Sequence, residues 1–344
     1  MSEALFPMRR SYLPMLAYKH RMKGLTDIRG ILVGHATDSE ALTGCTVILC
    51  GGLAAGNAVG GVDVRGSATG SCELDALNPG HVAPYIHAIV LSGGSAFGLE
   101  ATCGVRNVLE KRGIGFDAGV TKVPIVPGAI LFDLAIGNAH VRPGREMGER
   151  AALAADDGPV AEGNVGAGTG ATVGKIHGMK QAMKSGIGSA SLTLGSGVVV
   201  AALVAVNALG DVIDPARSGA IVAGARKSPQ SHEFVNTAAE MRHGLGSQTA
   251  PFRRNTTLAV VATNAMLDRV QTNKLAALAG LGVARTISPV NTMSDGDITF
   301  AVSLGKERAS LDEVGVGAAE VLAMAVLRAV RAAKTAGGVP GLAG

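Results

Sequence analysis

One segment organises the interpretation of the whole chain: Arg253-Arg254-Asn255-Thr256-Thr257-Leu258-Ala259-Val260-Val261-Ala262-Thr263-Asn264-Ala265. It joins a polar, turn-rich stretch, residues 228–254, to an apolar run at residues 258–262 that is typical of a buried strand. Thr256 and Thr257 therefore lie where an exposed loop enters the core. This position has two interpretations: an ordinary loop-to-strand junction of β-branched residues, or a nucleophile. If the chain breaks before Thr256, the new α-amino group lies beside the Thr256 hydroxyl and serves as its general base.

The composition is that of a protein with a large core. The chain has 344 residues, of which 47% are hydrophobic and 17% charged, enough for one large domain or two smaller ones. Its 49 glycines follow no fixed period and alternate with apolar runs, which predicts many tight turns between buried strands. The net charge of +4 includes no long basic block, and the chain has no tryptophan, so a nucleic-acid partner is not expected.

Cysteine usage and the N-terminal region bear on the compartment. The four cysteines contain no CxxC pair, so we expect buried free thiols in a reducing compartment rather than a disulfide framework or a zinc site. Residues 1–24 are predicted to be an N-terminal extension, residues 25–344 a single catalytic domain, and the protein cytoplasmic. The most apolar window, residues 192–209, is rich in β-branched residues, which favours one or two buried strands over a membrane-spanning helix.

The remaining segments predict strands mixed with helices, which indicates an α/β protein. Apolar runs at residues 44–50, 86–91, 198–206 and 298–304 predict buried strands, and residues 25–34 predict a strand pair. Helical spacing extends over residues 96–111, 268–280 and 312–334. Gly280 and Gly282 are expected to end the second of these helices.

A glycine-rich loop, residues 163–175, brings Lys175 into a region without acidic residues. The loop partly matches two nucleotide-binding motifs, but it lacks the acidic residue that a dinucleotide site needs and the Ser or Thr that follows the lysine of a phosphate loop. Neither Asp nor Glu occurs between residues 163 and 210. Lys175 is therefore either an ordinary surface lysine or a partly buried lysine with a lowered pKa.

Two further polar groups stand next to apolar runs. Asn207 follows the run at residues 198–206 and either caps a turn or offers an amide donor to a reacting carbonyl oxygen. The turn Asp295-Gly296-Asp297 precedes the run at residues 298–304. It is a divalent-metal site, an ordinary turn, or a pair of carboxylates that orient an ammonium group and a hydroxyl. No cluster of histidines and carboxylates accompanies it, so a metal is the least favoured of the three, and no cofactor is expected.

In this order the motifs resemble the self-cleaving aminopeptidase family of the DmpA type, which includes D-aminopeptidase/esterases, β-aminopeptidases and nylon-oligomer endohydrolases. The resemblance extends over about residues 25–331. It rests on residues 60–66 (GGVDVRG), residues 93–100 (GGSAFGLE), Gly174-Lys175, Asn255-Thr256-Thr257, Thr263-Asn264-Ala265 and Asp295-Gly296-Asp297. It implies a four-layer αββα sandwich of the type shared with ornithine acetyltransferases. It also implies a precursor that cleaves itself between Asn255 and Thr256.

The resemblance also implies a role for each candidate residue. Thr256 corresponds to the nucleophile, and Lys175 and Asn207 correspond to the lysine and asparagine that line the site. Lys175 would keep the new amine neutral by like-charge repulsion, and Asn207 would stabilise the tetrahedral oxyanion. Asp295 and Asp297 correspond to the paired carboxylates, which would orient the amine and the hydroxyl.

The resemblance leaves the substrate open. Phe132 stands where some members have a tyrosine donor, so we expect it to line the substrate pocket without that hydroxyl. The expected function is an aminopeptidase for short peptides, amino-acid amides or esters, acting as a homo-oligomer, in the form of a tetramer, without a membrane partner. One alternative is endo-hydrolysis of 6-aminohexanoate oligomers, because the Asn-Thr junction resembles that of the nylon-oligomer hydrolases. Others are acyl transfer of the ornithine acetyltransferase type, whose cleavage motif is absent, and a glycine-rich small-ligand binding protein in which Thr256 is only structural.

Overall fold

A computed structural model describes residues 22–51, 58–244 and 255–344. Most of the predicted N-terminal extension and the loop at residues 245–254, expected to precede the cleavage site, lie outside the described residues. The helices are α1 (Ala101–Lys111), α2 (Arg145–Leu153), α3 (Thr237–Arg242), α4 (Arg269–Thr286) and α5 (Leu311–Arg331). The strands are β1 (Ile31–Asp38), β2 (Thr43–Cys50), β3 (Val59–Val64), β4 (Ser71–Cys72), β5 (Ala88–Ser92), β6 (Phe116–Asp117), β7 (Lys122–Val123), β8 (Gly128–Ile130), β9 (Thr172–Val173), β10 (Met183–Lys184), β11 (Ile187–Thr193), β12 (Val199–Asn207), β13 (Asp211–Asp214), β14 (Ala220–Ala223), β15 (Thr256–Ala265), β16 (Ile287–Ser288) and β17 (Ile298–Glu307).

The longer strands form two five-stranded sheets. Sheet A has the order β1-β2-β5-β8-β4, and sheet B has the order β11-β12-β15-β17-β3. Neighbouring strands are antiparallel except for β5 with β8 and β15 with β17, which are parallel. The segment that begins at Thr256 therefore supplies the central strand of sheet B, between β12 and β17.

The pattern of burial explains why the two sheets form the inner layers. In β12, Leu203 and Ala205 belong to the core between the sheets, whereas Val204 and Val206 belong to the core beneath α4 and α5. Successive residues of a strand point to opposite faces, so a strand that is apolar at every position has to be covered on both sides. Helices α1 and α2 cover the outer face of sheet A in the same way. The fold is the four-layer αββα sandwich that the resemblance implied.

Two predicted element boundaries are wrong. Helix α4 does not end at Gly280 but continues to Thr286. A Cβ atom at Gly282 would lie 2.2 Å from the carbonyl oxygen of Ala319 in α5. The glycine therefore permits two helices to pack closely instead of ending one of them. Residues 25–34 do not form a strand pair, because a 3-10 turn at Leu25–Asp27 precedes β1.

The structure also bears on the most apolar window and on the cysteines. The apolar window at residues 192–209 holds the end of β11 and all of β12, so the prediction of buried strands is correct. Within the described ranges, no helix combines the length and apolar character needed to cross a membrane. All four cysteines are free, but only Cys45 and Cys50 are buried, since Cys72 and Cys103 remain partly exposed.

Candidate active site

Thr256 lies at the edge of the gap between the two sheets. It is the first residue of β15 and pairs with Asn207, the last residue of β12. Each stands two residues from a side chain of the inter-sheet core, Leu258 and Ala205 respectively. Since side chains alternate along a strand, Thr256 and Asn207 face the same gap side by side. Both are buried: Thr256 is 2% exposed and Asn207 is 0% exposed.

The peptide group between Asn255 and Thr256 is held by several hydrogen bonds. Thr256 Oγ1 donates to the carbonyl oxygen of Asn255 at 2.5 Å. The backbone N–H of Gly296 donates to the same oxygen at 2.7 Å, and the N–H of Asn255 donates to the carbonyl oxygen of Ser294 at 3.0 Å. Asn255 and Asp295 thus form a parallel β-bridge. Donors at a carbonyl oxygen stabilise the negative charge that develops there when the carbonyl carbon is attacked.

The two aspartates of the Asp-Gly-Asp turn are buried, and each accepts hydrogen bonds from backbone N–H groups. Asp297 accepts the N–H of Thr257 at 2.5 Å and the N–H of Asn291 at 3.0 Å. Asp295 accepts the N–H of Thr292 at 2.9 Å and its hydroxyl at 2.6 Å. Burial, reinforced by the neighbouring Asp295 carboxylate, raises the pKa of Asp297 to about 7.

Lys175 reaches the site from the glycine-rich loop. Its backbone N–H donates to the carbonyl oxygen of Leu209 at 3.0 Å, which docks the loop beside the end of β12. Its Nζ donates to the backbone oxygen of Asn207 at 2.9 Å and to Asn207 Oδ1 at 2.8 Å. Burial lowers the pKa of Lys175 to about 7, although the Asp295 carboxylate acts in the opposite direction. Of the two interpretations of Lys175, the structure agrees with the buried lysine whose pKa is lowered.

Asn207 connects the glycine-rich loop, strand β15 and the segment that follows β8 of sheet A. Its Oδ1 accepts the N–H of Thr172 at 3.1 Å as well as the Lys175 ammonium group. Its Nδ2 donates to the carbonyl oxygen of Phe132, just beyond β8, at 2.9 Å. A side-chain amide carries two N–H donors, so this contact accounts for one of them. The expected oxyanion role would fall to the other.

A pocket of about 180 Å³ opens beside Asn255. Its lining is mostly apolar with a few polar groups, and includes Phe132, Asp133, Ala135, Ile136, Thr172, Lys175 and Met179. The Asp133 carboxylate is bound within the protein, because it accepts the Thr43 hydroxyl at 2.7 Å and the Gly94 N–H at 2.7 Å. In the described part of the chain, no three His, Cys, Asp or Glu side chains are grouped as a metal-binding cluster.

All the candidate residues named from the sequence lie in this one region, but the backbone groups of Ser294 and Gly296, which bind Asn255, are not apparent from the sequence. Every residue carries a backbone N–H and C=O, so residue type does not reveal which of them face a site. The sequence does carry one signal, a glycine between two acidic residues at position 296. Glycine permits a close approach, and a Cβ atom at Gly296 would lie 2.9 Å from Thr256 Oγ1.

The sequence matches the model of peptidase family S58 over residues 23–343. The chain belongs to peptidase family S58. This S58 peptidase is 39% identical to an uncharacterized aminopeptidase of Mycobacterium leprae, over 93% of each chain. It is 31% identical to a 6-aminohexanoate-oligomer endohydrolase of Kocuria sp., over 89% of this chain and 85% of the relative. It is therefore an amide-bond hydrolase, which sets aside the ligand-binding alternative.

Solved structures share the fold of this S58 peptidase. The L-aminopeptidase D-Ala-esterase/amidase of Ochrobactrum anthropi, described as a variant of the Ntn-hydrolase fold, aligns with a TM-score of 0.70 at 22% identity over 92% of this chain and 88% of that chain. A β-aminopeptidase of Burkholderia sp. aligns with a TM-score of 0.66 at 23% identity over 94% and 91% of the two chains. These two likenesses support the αββα architecture.

Proposed function

We propose that this S58 peptidase cleaves its own chain between Asn255 and Thr256 and then hydrolyses short peptides, amino-acid amides or esters with Thr256 as the nucleophile. The observation that carries the proposal is the contact between Thr256 Oγ1 and the Asn255 carbonyl oxygen at 2.5 Å. The Gly296 N–H lies on the same oxygen at 2.7 Å. Nucleophile and electrophile are thus held together in one chain, and the reaction gains the advantage of proximity.

Self-cleavage has two chemical stages. In the first, Thr256 Oγ bonds to the Asn255 carbonyl carbon while a base removes the hydroxyl proton. The carbonyl oxygen becomes an oxyanion that accepts the Gly296 N–H. The C–N bond then breaks, the Thr256 nitrogen takes up the proton, and the acyl group remains on Oγ as an ester. In the second stage water hydrolyses the ester, which restores the hydroxyl and leaves chains of residues 1–255 and 256–344.

Lys175 is our candidate for the base of the first stage. Before cleavage the Thr256 nitrogen belongs to a peptide bond and cannot accept a proton. Lys175, whose pKa is lowered to about 7, is partly neutral near pH 7 and binds Asn207, the cross-strand neighbour of Thr256. This role differs from the one the resemblance implies, in which a protonated lysine acts on an amine that exists only after cleavage.

After cleavage the free amine of Thr256 takes over as the base. An α-amino group has an ordinary pKa of about 7.7–8.0, which suits it to accept the hydroxyl proton at neutral pH. Asp295 and Asp297 would orient this amine and the hydroxyl. The second amide N–H of Asn207 would stabilise the oxyanion of the bound substrate, which is hydrolysed through an acyl-enzyme on Thr256. We expect a tetramer of such processed protomers.

A second candidate function is endo-hydrolysis of 6-aminohexanoate oligomers. The relatives that carry this name are 31% identical to the chain. The mostly apolar pocket beside Asn255 also suits a polymethylene chain.

Intact-mass measurement tests self-cleavage. We expect purified wild-type protein to yield two fragments that separate before Thr256, while Thr256→Ala remains whole. Thr256→Ser is the matched control, since it keeps the hydroxyl and should still be cleaved. The proposal fails if the wild-type chain stays undivided at 34.5 kDa after long incubation.

A further inference from the structure

Lys184 is a buried lysine to which the proposed reaction gives no role. It lies in β10, opposite Thr172 of β9, and its side chain is fully removed from solvent. Its Nζ donates to the carbonyl oxygens of Thr169 at 2.9 Å and Ala171 at 2.6 Å in the glycine-rich loop. Taking an ionisable side chain out of water costs free energy, and two neutral carbonyl groups offset only part of that cost. The contacts of these two partners indicate what the lysine holds in place.

The carbonyl of Ala171 and the N–H of Thr172 belong to one peptide group. Its oxygen accepts Lys184 Nζ and also the Ser185 N–H at 3.0 Å, while its N–H donates to Asn207 Oδ1 at 3.1 Å. A peptide group is planar, so the bonds that fix its oxygen also fix the direction of its N–H. Lys184 and Asn207 are therefore joined through a single rigid unit.

The carboxamide of Asn207 is held in one orientation. Its Oδ1 accepts the Thr172 N–H and Lys175 Nζ, and its Nδ2 donates to the carbonyl oxygen of Phe132. Exchanging the oxygen and the nitrogen would set Nδ2 against two donors and Oδ1 against another carbonyl oxygen. In the orientation shown, Oδ1 holds Lys175 Nζ at 2.8 Å, which positions the amine of the candidate base.

We propose that Lys184 is a positioning residue for self-cleavage, which acts on Lys175 through Asn207. It fixes the Ala171–Thr172 peptide group, and that group fixes the Asn207 carboxamide, whose oxygen holds the amine of Lys175. This inference rests on the proposed function, in which Lys175 is the base. Without Lys184 the peptide group keeps only the Ser185 donor and rotates more freely, so the base is correctly placed for a smaller fraction of the time.

A double-mutant cycle on the rate of self-cleavage tests this role. The variants are Lys184→Met, which keeps a long apolar side chain but lacks the N–H donors, Asn207→Ala, and the two together. Intact mass follows the appearance of the two fragments from freshly translated full-length chain. The rates are compared at about pH 8.5, where Lys175, whose pKa is lowered to about 7, is neutral. A change in the charge near Lys175 then has little effect on the rate.

We expect Lys184→Met to slow cleavage by about tenfold and Asn207→Ala to slow it by about 100-fold. In the Asn207→Ala background, Lys184→Met should cause no further loss, because the group through which it acts is absent. Asn207→Ser, which also removes the carboxamide, replaces the alanine variant if that variant divides too slowly to be measured. Lys184→Gln replaces Lys184→Met if the methionine variant does not fold, since its shorter side chain draws the donors away from the two carbonyl oxygens.

Two controls separate positioning from a general loss of stability. Val105→Ala opens a cavity between α1 and sheet A, and Lys306→Met makes the same exchange at an exposed lysine. Neither should change the rate of cleavage, and circular dichroism establishes that each variant has folded. Cleavage of Lys184→Met at the wild-type rate, or losses that multiply in the double variant, overturn the positioning role alone. A wild-type chain that stays undivided overturns the proposed function, and the positioning role with it.

Discussion

Burial moves the pKa values of Lys175 and Asp297 towards 7, downwards for the lysine and upwards for the aspartate. Removal from water disfavours the charged form of each group, so the pKa of Lys175 falls to about 7 and that of Asp297 rises to about 7. As the pH rises through this range, the lysine becomes neutral and the aspartate becomes charged. A neutral lysine can accept a proton, and a charged aspartate can orient an amine.

We therefore expect the rate of self-cleavage to increase as the pH rises through about 7. Below that pH Lys175 is protonated and cannot accept the proton of Thr256 Oγ, whereas above it the lysine is neutral. The measurement follows the appearance of the two fragments after freshly translated chain is transferred to buffers between pH 6 and pH 8. A rate that is constant or falls over this interval argues against Lys175 as the base.

Lys175→Arg separates the two roles considered for this lysine. A guanidinium group stays protonated at all these pH values, so the variant should cleave about 100-fold more slowly if the neutral amine is needed. Cleavage at the wild-type rate would instead favour a role for the positive charge alone. Lys306→Arg is the matched control at an exposed position. Circular dichroism of each variant establishes that it has folded.

At the level of secondary-structure elements, the site depends on how closely the segment after β3 approaches the Asp-Gly-Asp turn. The N–H groups of Arg65 and Gly66 both donate to the carbonyl oxygen of Asp297 at 3.1 Å. A Cβ atom at Gly66 would lie 2.2 Å from the nitrogen of Asp297 and 2.3 Å from the carbonyl oxygen of Asp295. A side chain at this position would therefore displace the turn that binds Asn255.

We predict that Gly66→Ala lowers the free energy of unfolding by about 1–3 kcal/mol, the usual effect of overpacking, and slows self-cleavage. Gly195→Ala is the control, because a Cβ atom at this exposed glycine meets no atom within 4 Å. Unfolding by urea is compared in the Thr256→Ala background, so that every protein is a single chain. Cleavage is compared with Thr256 intact. The interpretation is wrong if the two alanine variants behave alike.

At the level of the whole molecule, a second buried lysine ties distant segments together. Lys184 Nζ donates to the carbonyl oxygens of Thr169 at 2.9 Å and Ala171 at 2.6 Å in the glycine-rich loop. Its backbone N–H donates to Pro340 O, close to the C-terminus, at 2.7 Å. Burial lowers the pKa of Lys184 to about 7, although Asp133 acts in the opposite direction.

This burial links the stability of the fold to pH. Between about pH 7 and pH 10.5, the unfolded chain binds a proton at Lys184 that the folded chain does not bind. The free energy of unfolding therefore rises with pH in this interval. Below about pH 7 the folded chain also carries the charged lysine, and its stability is lowered by the full cost of burying that charge. In the Thr256→Ala background, we expect the free energy of unfolding measured in urea to rise less between pH 7 and pH 9 when Lys184→Met is added. A rise as large as that of the parent would show that Lys184 is not its source.

Much of the fold follows from local sequence. Apolar residues at every position from Val200 to Val206 require cover on both faces, and this places β12 in an inner layer. The helix boundary in α4 was not predictable in the same way. Gly280 and Gly282 have the composition of a helix end, and only the proximity of α5 shows that Gly282 serves close packing.

The sequence by itself determined which chemical groups are available: a threonine at the start of a buried strand, a lysine among glycines, an asparagine and two carboxylates. The tertiary structure decided what they do together. It placed Asn207 opposite Thr256, removed Lys175 from water, and brought the backbone of Ser294 and Gly296 against Asn255. The reason is physical: a pKa depends on solvation by the whole fold, and backbone donors and acceptors are identical in every residue until long-range pairing selects some of them.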